Sequence, residues 1–292
     1  MSTIKCAGTP VVMNNTQDVT ACHTAVEFRV LGSAEELSQV SALERAVWRY
    51  DDVDLIPVTM LVATIKCGAL VLGAFDEDRM VGFAYSMPGR RLGRWIHWSH
   101  MLGVSPAHRG VGLGYRLKME QRRLVSEGGF AEIHWTFDPL QVANAHLNLN
   151  KLGAVAAEFV ENAYGESTSP LHRGTPTDRL IVHWPATREP VVPRPEDAGD
   201  LHDVPVVNPV YIEGGWPTCH DVADRPLGAD RLLVCVPDDF SRMLLEAPER
   251  ALRWRLATRP LFARILVAGY RGVQLVRWPD VRAGAYLFVR GT

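Results

Sequence analysis

The sequence predicts an α/β fold, a sheet flanked by helices, with an α+β extension at its C-terminal end. Three observations predict it. Short apolar strand signals alternate with helix signals from residue 26 to about 185. One of those strands, Arg94–Val104, runs through a glycine-rich turn into a helix. A stretch from 186 to 207, with four prolines and many charges, then reads as a linker to a last segment, 208–292.

Residues 1–25 are polar and patternless and read as a loose tail. A strand follows near Glu27–Leu31. Ser33-Ala34-Glu35-Glu36 is a capping box that opens a helix to about Trp48. Pro57 can begin a second helix, which Gly68 closes. Ala69–Phe75 and Met80–Met87 flank the turn Asp76-Glu77-Asp78-Arg79 and read as a hairpin. After Arg94–Val104, a helix spans about Gly112–Glu127 and stops at Gly128-Gly129. Ala131–Phe137 is a strand, Leu140–Leu152 a helix ended by Gly153, and Ala154–Glu161 and Asp178–Trp184 are strands. The last segment gives a strand at Arg231–Pro237, a long helix at Ala247–Ala268 and strands at Val273–Arg277 and Ala285–Val289. Arg231–Phe240 echoes Glu132–Leu140: both are strands ending in an acidic turn before a helix. The last segment therefore reads as a half-repeat of the first fold without its glycine loop, or as an unrelated β-α-β-β cap.

The chain has 292 residues and a formal net charge of −2, which gives no basic bias toward nucleic acid and no acidic tail. Apolar runs such as Ala69–Ala74 are too short to span a bilayer, and Met1–Thr20 lacks a signal-peptide core. A cytoplasmic protein, acting apart from membranes and nucleic acid as a monomer or homodimer, is the expectation. The five cysteines are scattered without a Cys-x-x-Cys pair, which argues against a disulfide frame or a metal site.

The glycine turn is where chemistry concentrates. Arg109-Gly110-Val111-Gly112-Leu113-Gly114 before a helix is an anion cradle. Glycine permits turn angles and close backbone approach, and the helix start offers free N–H groups and a positive dipole end. Arg109, Arg116 and Lys118 are expected to add positive charge around it. The P-loop pattern is absent, and the glycine spacing is wrong for a dinucleotide fingerprint. What remains, Val104, Pro106, Arg109, Gly110, Gly112 and Gly114, resembles the acyl-CoA pyrophosphate loop of the GNAT superfamily of N-acetyltransferases. The β-α-α-β-β-β-α-β-α-β-β order over about 26–185 is similar to that fold as well. The resemblance implies a mixed, mostly antiparallel central sheet, with the strands on either side of the loop splaying apart. It also implies acetyl-CoA or another short acyl-CoA as co-substrate. Its arm would pair with backbone groups of Met101, Leu102, Gly103 and Val104, and its pyrophosphate would rest on N–H groups from Arg109 through Gly114.

Amide formation needs a neutral amine, so a base must take its proton. His100, ahead of the loop, resembles a histidine that serves this role in serotonin N-acetyltransferases; that family's second strand histidine falls on Trp98. By strand alternation Trp98, His100 and Leu102 share one face, and His97, Ser99 and Met101 the other. His97 and His134 read as structural. Asp138, at a strand end, is a second catalytic candidate, or a helix cap. The tyrosine that protonates the leaving thiolate in many relatives is replaced by Leu149, which leaves Asn148, water or Tyr164 as donors. Asn144 is read as a contact to the cofactor arm. Arg255 and Arg259 share a helix face, to hold an acceptor carboxylate or to meet solvent. The function implied is direct transfer of an acetyl or short acyl group to the amine of a small, amino-acid-like acceptor. The alternatives are a GNAT-like acyl-CoA decarboxylase or O-acyltransferase, and a non-catalytic acyl-CoA-binding module.

Overall fold

The computed structural model describes residues 11–12, 26–48, 54–165, 174–193, 201–219 and 227–291. Its first part runs β1 (Val11–Val12), β2 (Glu27–Val30), α1 (Ala34–Trp48), α2 (Val58–Lys66), β3 (Leu70–Asp76), β4 (Arg79–Arg91), β5 (Arg94–Val104) and α3 (Leu113–Glu127). Then come β6 (Glu132–Phe137), α4 (Val142–Ala145), β7 (Val155–Val160) and β8 (Arg179–Pro185). The last segment holds β9 (Val210–Glu213), β10 (Trp216–Cys219), β11 (Arg231–Pro237), α5 (Phe240–Glu246), α6 (Pro248–Val267), β12 (Tyr270–Trp278) and β13 (Ala283–Arg290).

The local signals act as their chemistry requires. Ser33 Oγ accepts from the Glu36 N–H at 3.2 Å, and the Glu36 carboxylate accepts from the Ser33 N–H at 3.2 Å, so the box closes and α1 begins there. The helix expected over Leu140–Leu152 is a single α-turn, α4, that widens into a π-helical turn over His146–Lys151. The β9–β10 hairpin and the break between α5 and α6 were not expected. Within the supposed loose tail, Val11–Val12 pairs with β12; the rest of 1–25 lies outside the described residues.

The main sheet has the order β11-β13-β12-β7-β8-β6-β5-β4-β3-β2. Among its described strand pairs only β5–β6 is parallel, so the sheet is mixed and mostly antiparallel. One face carries α1 and α2 over Val71, Phe83, Tyr85 and Met101. The other carries α3, whose Leu113 and Leu117 pack with Leu72, Val81, Leu102 and Val104. No helix of the described residues is long and apolar enough to cross a membrane.

The last segment extends this same sheet through β12, which pairs antiparallel with β7 at Gly272–Ala156. Its strands stand in the order β11-β13-β12, and their counterparts stand as β6-β8-β7. Each triplet is a strand, a helical crossover and a hairpin whose second strand inserts beside the first. The two meet across antiparallel β7–β12, so the order reads the same outward from that junction in either direction. This is the arrangement a half-repeat requires, and one core runs through both triplets. The end of the supposed linker is also part of the fold. The Val207 N–H donates to Leu233 O at 2.8 Å, the Leu233 N–H to Pro205 O at 2.9 Å, and the Asn208 side chain bonds both N and O of Cys235. These bonds close the outer edge of β11.

Polar groups bolt the two parts together. Arg255 of α6 grips Asp138 with two bonds of 2.7 and 2.6 Å, and Arg259 grips Asp178 at 3.0 and 2.8 Å. The Asn150 amide donates to Leu275 O and accepts from its N–H, both at 2.8 Å, filling the place of a strand partner. Neither arginine faces an acceptor or open solvent as expected: each is spent on an aspartate of the first part.

Glu44 of α1 is fully buried; one carboxylate oxygen accepts from the Ile56 N–H at 3.4 Å and the other is unpartnered. Burial pushes its pKa up to about 7, against the opposing pull of the Ile56 N–H and Arg45. The folded state therefore holds a proton that the unfolded state has released between pH 4.5 and 7, and stability falls as pH rises through that window. Glu44→Gln is expected to raise the unfolding free energy by roughly 1–3 kcal/mol at pH 8 and to change it little at pH 4. Denaturant unfolding at the two pH values checks this.

Candidate functional site

Val104 ends β5 and Ser105 turns the chain, its N–H bonded to Val81 O at 2.9 Å and its hydroxyl to His108 Nδ1 at 2.8 Å. Gly110 and Gly112 take φ values of +81° and +78°, which disfavour any side chain. A Cβ at either would meet only open space, so backbone conformation and not crowding demands glycine there. Gly112 caps α3 without a side-chain hydrogen bond, and the first turn holds no acidic residue. The amides at the start of this 15-residue helix thus face outward with the positive dipole end behind them. Gly114 lies against Leu102, Val104 and Leu147 at ordinary contact distance, and Val111 packs on the α3 side of the sheet. Arg109 is exposed; it donates to Val104 O at 3.2 Å and reaches Val47 O at 3.5 Å, tying the loop to β5 and α1. Arg116 donates to Val26 O at 3.3 Å, and Lys118 turns into the core, so neither adds charge at the turn as expected.

Beside this loop the sheet opens. The β5–β6 ladder holds only His97–Ile133 and Trp98–His134. Beyond Trp98 and His134 no ladder pair joins the two strands, so Ser99–Val104 and Trp135–Phe137 run on unpaired with each other. A parallel pair that forks beside a glycine-loop helix, in this strand order, decides the architecture. The fold is GNAT-like.

No family model matches the sequence, and none of the curated proteins matches it. Among solved structures, this chain is similar to an acetyltransferase of the GNAT family from Streptococcus pneumoniae, with 18% identity over 55% of this chain and 99% of the other at a TM-score of 0.45. It is similar to the ribosomal-protein-S18-alanine N-acetyltransferase from Escherichia coli, with 15% identity over 58% and 99% at 0.45. It is also similar to an aminoglycoside 6'-acetyltransferase type Ii, with 20% identity over 56% and 99% at 0.44.

The GNAT-like gap has two different walls. On β5, Tyr85 pairs with Met101 but Ser86 pairs with Ser99, so His100 is an extra, bulged residue outside the ladder. The bulge shifts the strand's alternation by one. Ser99 faces α3 together with Leu102 and Val104, while His100 turns to the α1/α2 face and meets the Tyr85 ring edge-on at 6.0 Å. The expected grouping of His100 with Leu102, and of Ser99 with Met101, is therefore wrong, because strict alternation does not survive a bulge. His100 is exposed at the gap, and the protein packed around it lowers its pKa below the ordinary histidine value, leaving a free base at pH 7.

The other predicted residues separate. Asp138 is buried in the Arg255 clamp, and its Oδ1 also accepts from the Leu140 N–H at 2.9 Å. Burial alone would raise its pKa; the Arg255 charge and bonds, Arg179 and the Leu140 N–H outweigh that and hold it below the ordinary value. Both readings of Asp138 thus meet a third: it caps the turn after β6 and also anchors α6. Asn144 is exposed on α4, and Leu149 is fully buried. Asn148 is buried and accepts from Trp135 Nε1 at 3.3 Å. Tyr164, half-exposed, bonds Thr136 of β6 through its hydroxyl at 2.9 Å. Trp135 faces Lys118 on the α3 side, so its neighbour Thr136 places that hydroxyl on the His100 side.

His97 is structural: its nitrogens meet Ser86 Oγ at 2.8 Å and Gly68 O at 3.4 Å. Glu132, His134 and His183 bring potential metal ligands within 4.8 Å of one another. However, the two imidazoles stack at 3.9 Å and 3°, and each Nε2 bonds its own glutamate, Glu132 or Glu158. Parallel rings hold their lone pairs in separate planes, so this arrangement does not converge on one ion.

One group takes a place other than the one expected beside the turn. Lys118 of α3, only 2% exposed, sends Nζ to Ser99 Oγ at 3.0 Å and Gln121 Oε1 at 2.9 Å, with the Trp135 ring 3.7 Å away. The signal for it was spacing: Leu113, Leu117, Lys118, Gln121 and Val125 fall on one stripe of a 3.6-residue helix.

Proposed function

We propose that this chain transfers an acetyl or other short acyl group from coenzyme A directly to the amine of a small, amino-acid-like acceptor. The observation that carries the reading is the uncapped, acid-free start of α3 opening onto the fork between β5 and β6. Its amides from Gly110 to Gly114, including Val111 and Leu113, suit a pyrophosphate. The unpaired β5 edge from Met101 through Leu102 and Gly103 to Val104 suits the amide-bearing arm, and exposed Asn144 suits a contact to it. Arg109 holds the loop in shape and adds its charge. On the opposite face His100, neutral at pH 7, takes the amine proton. Because Leu149 has no proton to give, the Tyr164 hydroxyl, held by Thr136, is the group we assign to the leaving thiolate. Asp138 keeps a supporting place beneath the site through Arg255.

Titration calorimetry with acetyl-CoA, propionyl-CoA and free CoA tests this. Micromolar binding is expected, lost in a variant carrying Arg109→Ala and Gly112→Ala. The left-handed φ at Gly112 makes alanine unfavourable by about 1–2 kcal/mol, a local strain that leaves the fold standing. No binding of any CoA species would overturn the reading.

A further inference from the structure

We propose that Ser99 and Lys118 form a nucleophile–base pair at the closed end of the gap between β5 and β6, and that through it the chain cleaves acyl-CoA without any amine acceptor, by way of an acyl-serine. The proposal rests on the reading of that gap as the acyl-CoA slot.

The β5–β6 ladder ends at Trp98–His134, so Ser99 and Trp135 are the first residues past the fork. Lys118 Nζ stands at that point, 3.0 Å from Ser99 Oγ, and Gln121 Oε1 orients it from 2.9 Å. A nucleophile, a base within hydrogen-bond reach and a third group that fixes the base are the geometric requirements of an activated hydroxyl. Among the described residues Lys118 makes no ion pair, and burial pulls its pKa well below the ordinary lysine value. An amine buried without a counter-ion costs stability unless it sheds its proton. Once neutral, it can accept the proton that the Ser99 hydroxyl now directs to Gln121 at 3.1 Å.

The chemistry balances within these groups. The Ser99 Oγ proton passes to Lys118 Nζ as the Oγ–carbonyl bond forms. The carbon–sulfur bond breaks, and the thiolate takes the proton back from the Lys118 ammonium. Water then hydrolyses the serine ester to the free acid. In this cleavage Lys118, and not the Tyr164 hydroxyl assigned to the transfer reaction, returns the proton to the thiolate. His100 lies on the opposite face and is not shared, so acceptor-independent cleavage is a second activity beside the transfer.

The test is to incubate the full chain with acetyl-CoA and no amine, following free CoA and mapping the acetylated peptide by mass spectrometry. Expected is a burst of CoA with an ester on Ser99 that alkaline hydroxylamine removes. Ser99→Ala should abolish the label, and Lys118→Met should slow its formation by about 10²–10⁴-fold, the range of a lost general base. Free CoA binding by both variants establishes that they are folded; if either fails that control, the position of the wild-type label decides. Acetyl-CoA binding with no ester and no CoA release overturns this proposal alone, as does an amide on Lys118 or undiminished cleavage by Ser99→Ala. No CoA binding at all overturns the acyl-CoA reading and this proposal with it.

Discussion

Asp138→Asn is expected to lower the unfolding free energy by about 3–5 kcal/mol, the usual loss when one partner of a buried ion pair is removed. Arg255 is 1% exposed, and its charge would be left in a site lined by Phe240 with nothing to answer it. Replacing both partners together, as Asp138→Leu with Arg255→Met, should recover most of the loss, because the cost lies in the orphaned charge. Denaturant unfolding of the two single variants and the double one measures this. The depressed pKa of Asp138 fixes the pH sense. The pair's contribution is complete above the ordinary aspartate value and is lost only as pH falls through the lower folded one. A carboxylate serving as base would behave oppositely, with turnover lost and stability kept, and that result would refute the anchoring role.

His100→Gln is expected to lower turnover with an amine acceptor by about 10²–10⁴-fold while acyl-CoA binding stays as it was. The pH profile carries the sharper information. A base works when deprotonated, so the wild-type kcat/KM should fall as pH drops through a value below the ordinary histidine 6.5 and stay level above it. The variant should lack that limb. Turnover within a few-fold of wild type would remove His100 from the mechanism.

What could be read from the sequence follows from how local each cause is. The capping box at Ser33–Glu36 and the left-handed glycines at 110 and 112 are decided within a few residues, so both stood out. Arg255 and Asp138 lie 117 residues apart. No local pattern could say that an arginine on a mixed helix meets an aspartate after a distant strand. The bulge at His100 escaped for another reason: alternation assumes an unbroken ladder, and one unpaired residue reverses every later face. The β9–β10 hairpin was missed despite a visible cue, the pair Gly214-Gly215 between Val210–Glu213 and Trp216–Cys219, both glycines at positive φ. Lys118 was expected to add its charge at the glycine turn, when its position on the helix stripe placed it inside.

The strand order that reads alike outward from β7–β12 has a consequence for dilution. Two separate chains joined along such a strand would come apart as their concentration fell. Here both sides of the joint belong to one polypeptide, and the intervening residues hold them at an effective concentration set by tether length alone. The first half therefore keeps its flanking strands, and the Arg255 and Arg259 clamps, however scarce the protein is in its surroundings.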